Sequence, residues 1–364
     1  MINKDSNYKS LHIIRGVCAL IVVFYHAKFV LWSGGTLWIA NVGFKNIWDY
    51  LLFSLDMLSS CGKQCVLVFF ILSGFVIYHS FYKSDKKISH FYIIRAIRIY
   101  IPFLFSLLFS ITVLILAGKL NANILIDGVR EYNTRLITAF NDLGVASVLK
   151  SLFFMQSKEY AGFNFAYWSL LHEAIFYIVF PIYFFIGLRN RVILFVVMFT
   201  GFILTRSDFF YYQLYFLAGM FLFDYYKEKR KLFLKGKFFY IPLIVIGFLA
   251  TNLLAKQSSI LFSDIAALFT VLLLFDYLIV TSASYNRFFQ KLADISFTLY
   301  LNHLPILMIC YIIFSRIFNK LIFYERYPYY LGVIVSVIIC SIFFKYIEAK
   351  SLFLINKIKS KWNS

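Results

Sequence analysis

Three ionisable side chains lie inside strongly apolar stretches of the sequence, where they could carry acid–base chemistry. His26, Glu173 and His303 each have mainly apolar and aromatic neighbours. An ionisable group inside a membrane-spanning helix costs about 3 kcal/mol on insertion scales, so its presence is a functional-site hypothesis by default. Histidine suits proton transfer at neutral pH because its unperturbed pKa is about 6.5. We therefore expect a proton-handling site, with the open alternative that each residue only bonds to a neighbouring helix.

Three arginines could bind an anionic cosubstrate. Arg15 precedes His26 by eleven residues, which on a helix is about three turns, so the two side chains share one face. Arg95 and Arg98 are three residues apart and are therefore neighbours on a helix. Guanidinium groups make paired hydrogen bonds to phosphate. The alternative for all three is a topogenic charge near the membrane surface.

The surrounding composition indicates the kind of element that must position these residues. Hydrophobic residues make up 62% of the 364 positions and charged residues only 15%, against about 25% charged residues in a soluble domain. Apolar runs of about 20 residues recur, and each can cross a bilayer as a helix. The strongly alternating segments of a membrane β-barrel do not occur. The sequence predicts one all-α, polytopic integral membrane domain over residues 1–364.

We predict about ten transmembrane helices from the apolar runs. They fall at residues 11–32, 64–82, 97–118, 166–187, 191–205, 209–226, 238–256, 260–281, 295–315 and 328–347.

The distribution of basic residues predicts an N-in, C-in topology. Lys83, Lys87 and Lys357 are among the residues that mark the basic, cytoplasmic ends of the spans. This topology places the two histidines and the glutamate at compatible depths within the bilayer. It places the three arginines near the cytoplasmic face.

Other features argue against nucleic-acid binding and against a metal site. The net charge of +19 is spread over short loops and does not form one basic stripe. The five cysteines include no CxxC pair and no histidine at zinc spacing, so no metal is expected. Cys61 and Cys65 are either a disulfide or two ordinary thiols, and their spacing does not decide between these.

Five segments of the chain resemble the acyltransferase 3 family of membrane O-acyltransferases. The resemblance is colinear and covers most of the chain. The matching segments are Arg15-Gly16 with His26 for the family's Arg-x10-His, Phe69 to Phe75 for FFxLSGF, Arg95 to Arg98 for RxxR, Trp168 to Tyr177 for WSLxxExxFY, and Ser296 to Pro305 for SxxLYLxHxP.

The resemblance implies a reaction and a role for each candidate residue. The reaction is transfer of an acyl group, most often acetyl, from acyl-CoA to a hydroxyl of a cell-surface glycan or lipid-linked saccharide at a bacterial cytoplasmic membrane. His26 is then the candidate catalytic base, and Glu173 and His303 line the interior with it. The candidate donor-binding residues are Arg15, Arg95 and Arg98.

Two departures from the family pattern affect these expectations. Leu171, His172 and Ala174 surround Glu173, so no second acidic residue is available beside it. The sequence ends shortly after the last span, and we therefore expect the membrane domain to act without the C-terminal esterase-like domain that some members carry.

Other functions are left open by the residues themselves. A proton-coupled transporter could use His26, Glu173 and His303 as a proton relay, although the sequence lacks a repeat with paired broken helices. A structural subunit of an envelope complex is a second alternative. Beyond donor and acceptor, we expect membrane lipids as partners, no nucleic acid, and a second copy of the chain as a further candidate.

Overall fold

The computed structural model describes residues 11–84, 87–120, 122–125, 129–228, 237–256, 260–281 and 287–363. It is 86% helical, and no strand occurs within those ranges. Eight of the described helices are long and apolar enough to cross a membrane. These findings confirm an all-helical, multi-pass membrane protein. The number of ten spans and the N-in, C-in orientation stay predictions.

The described helices are numbered here in chain order. They are α1 (Leu11–Leu31), α2 (Gly35–Asn41), α3 (Ile47–Met57), α4 (Gly62–Tyr82), α5 (Ile88–Leu120), α6 (Glu131–Asn141), α7 (Val145–Leu152), α8 (Trp168–Phe185), α9 (Gly187–Thr205), α10 (Asp208–Glu228), α11 (Tyr240–Lys256), α12 (Ile260–Thr281), α13 (Arg287–Asp294), α14 (Ser296–Phe318), α15 (Tyr327–Phe343) and α16 (Ala349–Asn363).

The start of α5 differs clearly from its predicted position. The apolar pattern predicts a span from residue 97, but α5 begins at Ile88 and runs for 33 residues. Arginine is a good helix former and no proline or glycine interrupts residues 88–97, so the helix continues beyond its apolar part. Arg95 and Arg98 therefore lie within the helix and not at its first turn.

The chain divides into two compact units, each made of segments distant in sequence. The first unit comprises Met1–Ile21, Met57–Ile93 and His172–Asp294, and the second comprises Val22–Asp56, Ile94–Leu171 and Ile295–Ser364. The single domain expected from the sequence stays a prediction.

In the first unit, α4 and α10 are held at very short separation by glycines. A Cβ atom on Gly74 would lie 2.1 Å from the carbonyl oxygen of Phe216, and one on Gly219 would lie 2.0 Å from that of Ile71. Only glycine leaves room for such backbone contact, as in other small-residue helix interfaces in membranes. Cys61 and Cys65 also belong to this unit, where both are buried and are not joined by a disulfide.

In the second unit, α14 is the central element. The side chains of α14 are almost all buried over its apolar length. A helix that is apolar all round lies either in a protein core or in a membrane, and neighbouring elements cover most of α14. Its polar residues are consequently enclosed with it, and they form the site described next.

Candidate active site

Two of the predicted site residues, His26 on α1 and His303 on α14, are in direct contact in the second unit. Nδ1 of His26 lies 2.8 Å from Nε2 of His303, and the rings are nearly parallel, with centroids 5.0 Å apart. His303 is fully buried, whereas His26 is partly exposed. We call this pair the histidine dyad, and His26 is the member that a ligand can reach.

The hydrogen bonds of the dyad fix the proton positions of two neutral imidazoles. Nδ1 of His303 lies 3.0 Å from the carbonyl oxygen of Leu299. A carbonyl only accepts, so Nδ1 carries the proton and Nε2 of His303 is an acceptor. Nδ1 of His26 donates to it, and no described residue bonds to Nε2 of His26. This nitrogen therefore presents a lone pair, which is what a general base requires.

A proline fixes α14 just beyond the dyad. Pro305 has no N–H, so the carbonyl of Leu301, four residues earlier, loses its partner within the helix. That oxygen accepts instead from Oγ of Ser106 at 2.7 Å and from Nδ2 of Asn164 at 2.8 Å. Because all of these groups are buried, the bonds tie α14 to α5 and to the chain before α8.

A cation is held beside His26. Arg135 on α6 forms a two-point ion pair with Glu159, from Nε at 2.7 Å and from Nη2 at 3.0 Å. Its guanidinium lies 4.9 Å from the ring centroid of Phe165, and the same ring lies edge-on to His26 at 5.1 Å. The charge of Arg135 acts on His26. Hydrogen bonding to Glu159 raises the pKa of Arg135, which stays protonated.

The loop that carries Glu159 has a constrained backbone. Phe154 and Phe163 have positive φ values of 60° and 57°, which non-glycine residues rarely adopt. Gly162 has φ of 77°, and a Cβ there would lie 2.5 Å from Ser110. Such conformations persist only where the surroundings impose them. The carboxylate that orients Arg135 is therefore held in place before any ligand arrives.

A second arginine caps the C-terminus of α1. The guanidinium of Arg130 donates to the carbonyl oxygens of Phe29 and Trp32 at 2.6 Å each, and of Val30 at 3.2 Å. These carbonyls at a helix C-terminus have no partner within the helix, and a cation suits the negative end of the helix dipole. Burial lowers the pKa of Arg130. Arg130 thus fixes the turn that follows His26.

Two of the segments that resemble the family motifs meet through hydroxyl groups. Ser169 Oγ lies 2.7 Å from the hydroxyl oxygen of Tyr300, which also donates to the carbonyl of Ala166 at 3.0 Å. The start of α8 is thereby joined to α14 one turn before His303. This contact gives a structural reason for a serine in one motif and a tyrosine in the other.

The arginines predicted to bind the donor lie on neighbouring turns of α5. Arg98 forms an ion pair with Glu348 at 3.0 Å, and that buried carboxylate also accepts from the backbone N–H and the hydroxyl of Thr298. Nη1 of Arg98 is buried and bonds to no described residue. Arg98 therefore has one nitrogen paired with Glu348 and another that is buried without a described hydrogen-bond partner. Arg95 is partly exposed beside it.

The remaining two predicted site residues belong to the first unit. Glu173 on α8 accepts a short hydrogen bond from the hydroxyl of Tyr177, one turn further along the same helix. Arg15 lies on the part of α1 that belongs to this unit. The structure thus brings His26 and His303 together in one unit and shows Arg15 and Glu173 in the other. The roles of all six residues stay predictions.

Sequence reasoning missed two charged pairs. Arg135 and Glu159 lie 24 residues apart in the polar segment between two spans, and nothing in that separation predicts that they meet. Glu348 follows the predicted last span by one residue. The rule that flagged Glu173 would have found Glu348 had the span been extended by one position, because it is an acidic residue at the end of an apolar run.

Comparison with known proteins gives one match. The model of the acyltransferase 3 family, which is described as an acyltransferase domain, matches residues 8–346 of the 364-residue chain. No curated protein and no solved structure matches.

Proposed function

The chain belongs to the acyltransferase 3 family, and on that premise we propose that this membrane acyltransferase is an O-acyltransferase of surface glycans. The donor is acyl-CoA, with acetyl-CoA the first candidate, and the acceptor is a hydroxyl of a cell-surface polysaccharide or lipid-linked saccharide. The observation that supports the proposal is the lone pair on Nε2 of His26, oriented by His303. Such a base can activate an alcohol directly, without a covalent intermediate.

The proposed reaction uses His26 twice. Nε2 of His26 takes the proton of the acceptor hydroxyl as its oxygen bonds to the thioester carbonyl carbon, and the carbonyl electron pair moves onto oxygen. The tetrahedral intermediate then expels the CoA sulfur, which takes the proton back from His26. The products are an ester and CoA with a free thiol. General-base catalysis of this kind contributes about 10²- to 10⁴-fold.

The donor is proposed to enter with its phosphates against Arg98 and Arg95. Nη1 of Arg98 supports this role because it is buried and bonds to no described residue. Arg15 is a further candidate for donor contact, and Glu173 for positioning within the interior. These assignments rest on the family resemblance and on residue chemistry.

The proposal includes the finer topology and location. Ten spans are counted when α10 and α11, which are not among the eight candidate spans, also cross the bilayer. With N-in, C-in orientation, the described residues 129–165 lie on the outside, where an acceptor glycan of a bacterial envelope is found. The end of α5 that carries Arg95 and Arg98 lies on the cytoplasmic side, where acyl-CoA is found.

The test is acetyl-CoA turnover in membranes that contain the full chain. Wild type should release CoA and label glycan with the acetyl group, and His26→Ala should do neither at equal expression. His90→Ala, the same substitution in the first unit, is the matched control and should behave as wild type. Equal activity of His26→Ala and wild type would refute the proposed base. Absence of turnover with acetyl-CoA and other short acyl-CoAs would refute the reaction and favour the proton-coupled transporter.

A further inference from the structure

Acyl transfer from a thioester creates negative charge on the former carbonyl oxygen, and some group must stabilise it. Neither member of the histidine dyad does so while His26 holds the acceptor proton on Nε2. Donors fixed in advance towards the developing charge contribute more than donors that must reorganise. The question is therefore which described group near His26 has donors free and fixed.

Arg135 meets both conditions. Nε and Nη2 are bonded to Glu159 at 2.7 and 3.0 Å, which fixes the plane of the guanidinium, while no described residue bonds to Nη1. The side chain is 32% exposed, so the guanidinium group is not sealed inside the protein. A guanidinium stays charged and planar, which makes its remaining donors directional.

The position of Arg135 relative to the base is set by one aromatic ring. Phe165 contacts the guanidinium on its face and His26 on its edge, and the charge of Arg135 acts on His26. The cation and the partly exposed base therefore both contact the ring of Phe165. Phe163, whose ring is 5.8 Å from the guanidinium, encloses it further.

From this geometry we propose that Arg135 is a catalytic residue whose free guanidinium nitrogen donates hydrogen bonds to the oxyanion of the tetrahedral intermediate. The inference rests on the proposed acyl transfer. As the acceptor oxygen bonds to the thioester carbon, the carbonyl electron pair moves to oxygen and accepts from Nη1. When the C–S bond breaks, the electron pair returns and the hydrogen bond weakens. Glu159 is the positioning residue that orients the donor.

A purely structural role for the pair predicts different behaviour. Removing Arg135 alone leaves the buried Glu159 carboxylate without its ion-pair partner, which can destabilise the fold for a reason unrelated to catalysis. The informative variant is therefore Arg135→Gln combined with Glu159→Gln, which replaces an ion pair by two neutral amides. Its thermal unfolding should remain close to that of wild type.

The experiment measures kcat and KM for acetyl-CoA from CoA release in membranes that retain their own acceptor. We expect the double variant to lose about 10²- to 10³-fold in kcat, the usual effect of removing one oxyanion donor, with KM within about twofold. Arg135→Lys should recover part of the rate, since it keeps a charge but not the fork geometry. Lys320→Gln with Glu325→Gln, an exposed ion pair of the same unit, is the matched control and should leave both constants unchanged.

Two kinds of result overturn the inference, and they are distinguishable. If wild type turns over acetyl-CoA, His26→Ala is inactive and the double variant keeps the wild-type kcat, the role of Arg135 is wrong and the proposed reaction stands. A rise in KM alone would likewise assign Arg135 to ground-state binding and contradict the proposal. If wild type uses no acyl-CoA, the reaction itself fails and the inference fails with it.

Discussion

His303 does for His26 what a carboxylate does for histidine in many hydrolases, but without a charge. It holds the imidazole of His26 in one orientation and one tautomer, which leaves a lone pair on Nε2. A buried carboxylate would carry a desolvation penalty of several kcal/mol. A neutral histidine bonded to the carbonyl of Leu299 avoids it, which suits a site on membrane-spanning helices.

This role predicts a graded response to substitution of His303. His303→Gln keeps a side-chain oxygen that can accept from Nδ1 of His26, whereas His303→Leu fills the space without an acceptor. We expect His303→Leu to lower kcat by about 10²-fold or more and His303→Gln to lower it less. The efficiency of a general base depends on how the imidazole of His26 is oriented. Steady-state CoA release measures both. Equal rates for the two variants would show that the hydrogen bond does not matter.

At the scale of elements, the site depends on helix ends. The chain around His26 is held by Arg130, which occupies three carbonyls at the end of α1. On α14, the carbonyl freed by Pro305 is occupied by Ser106 and Asn164. Backbone groups left free by a helix end or a proline must be satisfied when buried. Here they are satisfied by the segments that enclose the dyad.

Substituting Arg130 tests the first of these helix-end contacts. Arg130→Met keeps the apolar length of the side chain but leaves three carbonyls without their donor. Each buried group left unsatisfied costs about 1 to 3 kcal/mol, so the melting temperature in detergent should fall by several degrees. The melting temperature of Arg130→Lys should fall less, since a lysine can still donate hydrogen bonds to these carbonyls. A melting temperature of Arg130→Met equal to that of wild type would contradict the capping role.

How much of these elements the sequence predicts depends on the range of the interaction. Gly74 on α4 allows the close contact with α10, but nothing in the local sequence shows which helix is the partner. The apolar runs predict where membrane-spanning helices lie, because a bilayer requires about 20 apolar residues in each span. The start of α5 at Ile88 is missed because hydropathy does not detect where a helix ends in water.

The site is only partly predictable because the sequence does not show contacts between residues that are far apart in the chain. His26 and His303 are found because an ionisable group in an apolar run is conspicuous by itself. Their contact spans 277 residues, and no periodicity encodes it. The pairing of Arg135 with Glu159 is hidden in a polar segment where charges are ordinary. Tertiary contacts between residues that are each unremarkable in sequence require the structure.

At the scale of the whole molecule, the account requires donor and acceptor to approach from opposite sides. The predicted N-in, C-in topology puts Lys83 inside and Lys158 outside, and both side chains are exposed. A membrane-impermeant maleimide applied to intact cells should therefore label Lys158→Cys and not Lys83→Cys. The unsubstituted chain is the control, because its five cysteines are buried. The reverse labelling pattern would overturn the orientation.

A structure of the full chain with an acetyl-CoA analogue, in which CH2 replaces the thioester sulfur, would show whether the acyl group reaches His26. A hydrogen bond from the acceptor hydroxyl to Nε2 and its approach to the carbonyl carbon each span about 3 Å. The account therefore predicts the acetyl carbonyl carbon within about 6 Å of Nε2 of His26. An acetyl group bound away from His26, with no path for a hydroxyl between them, would contradict the claim that His26 is the base.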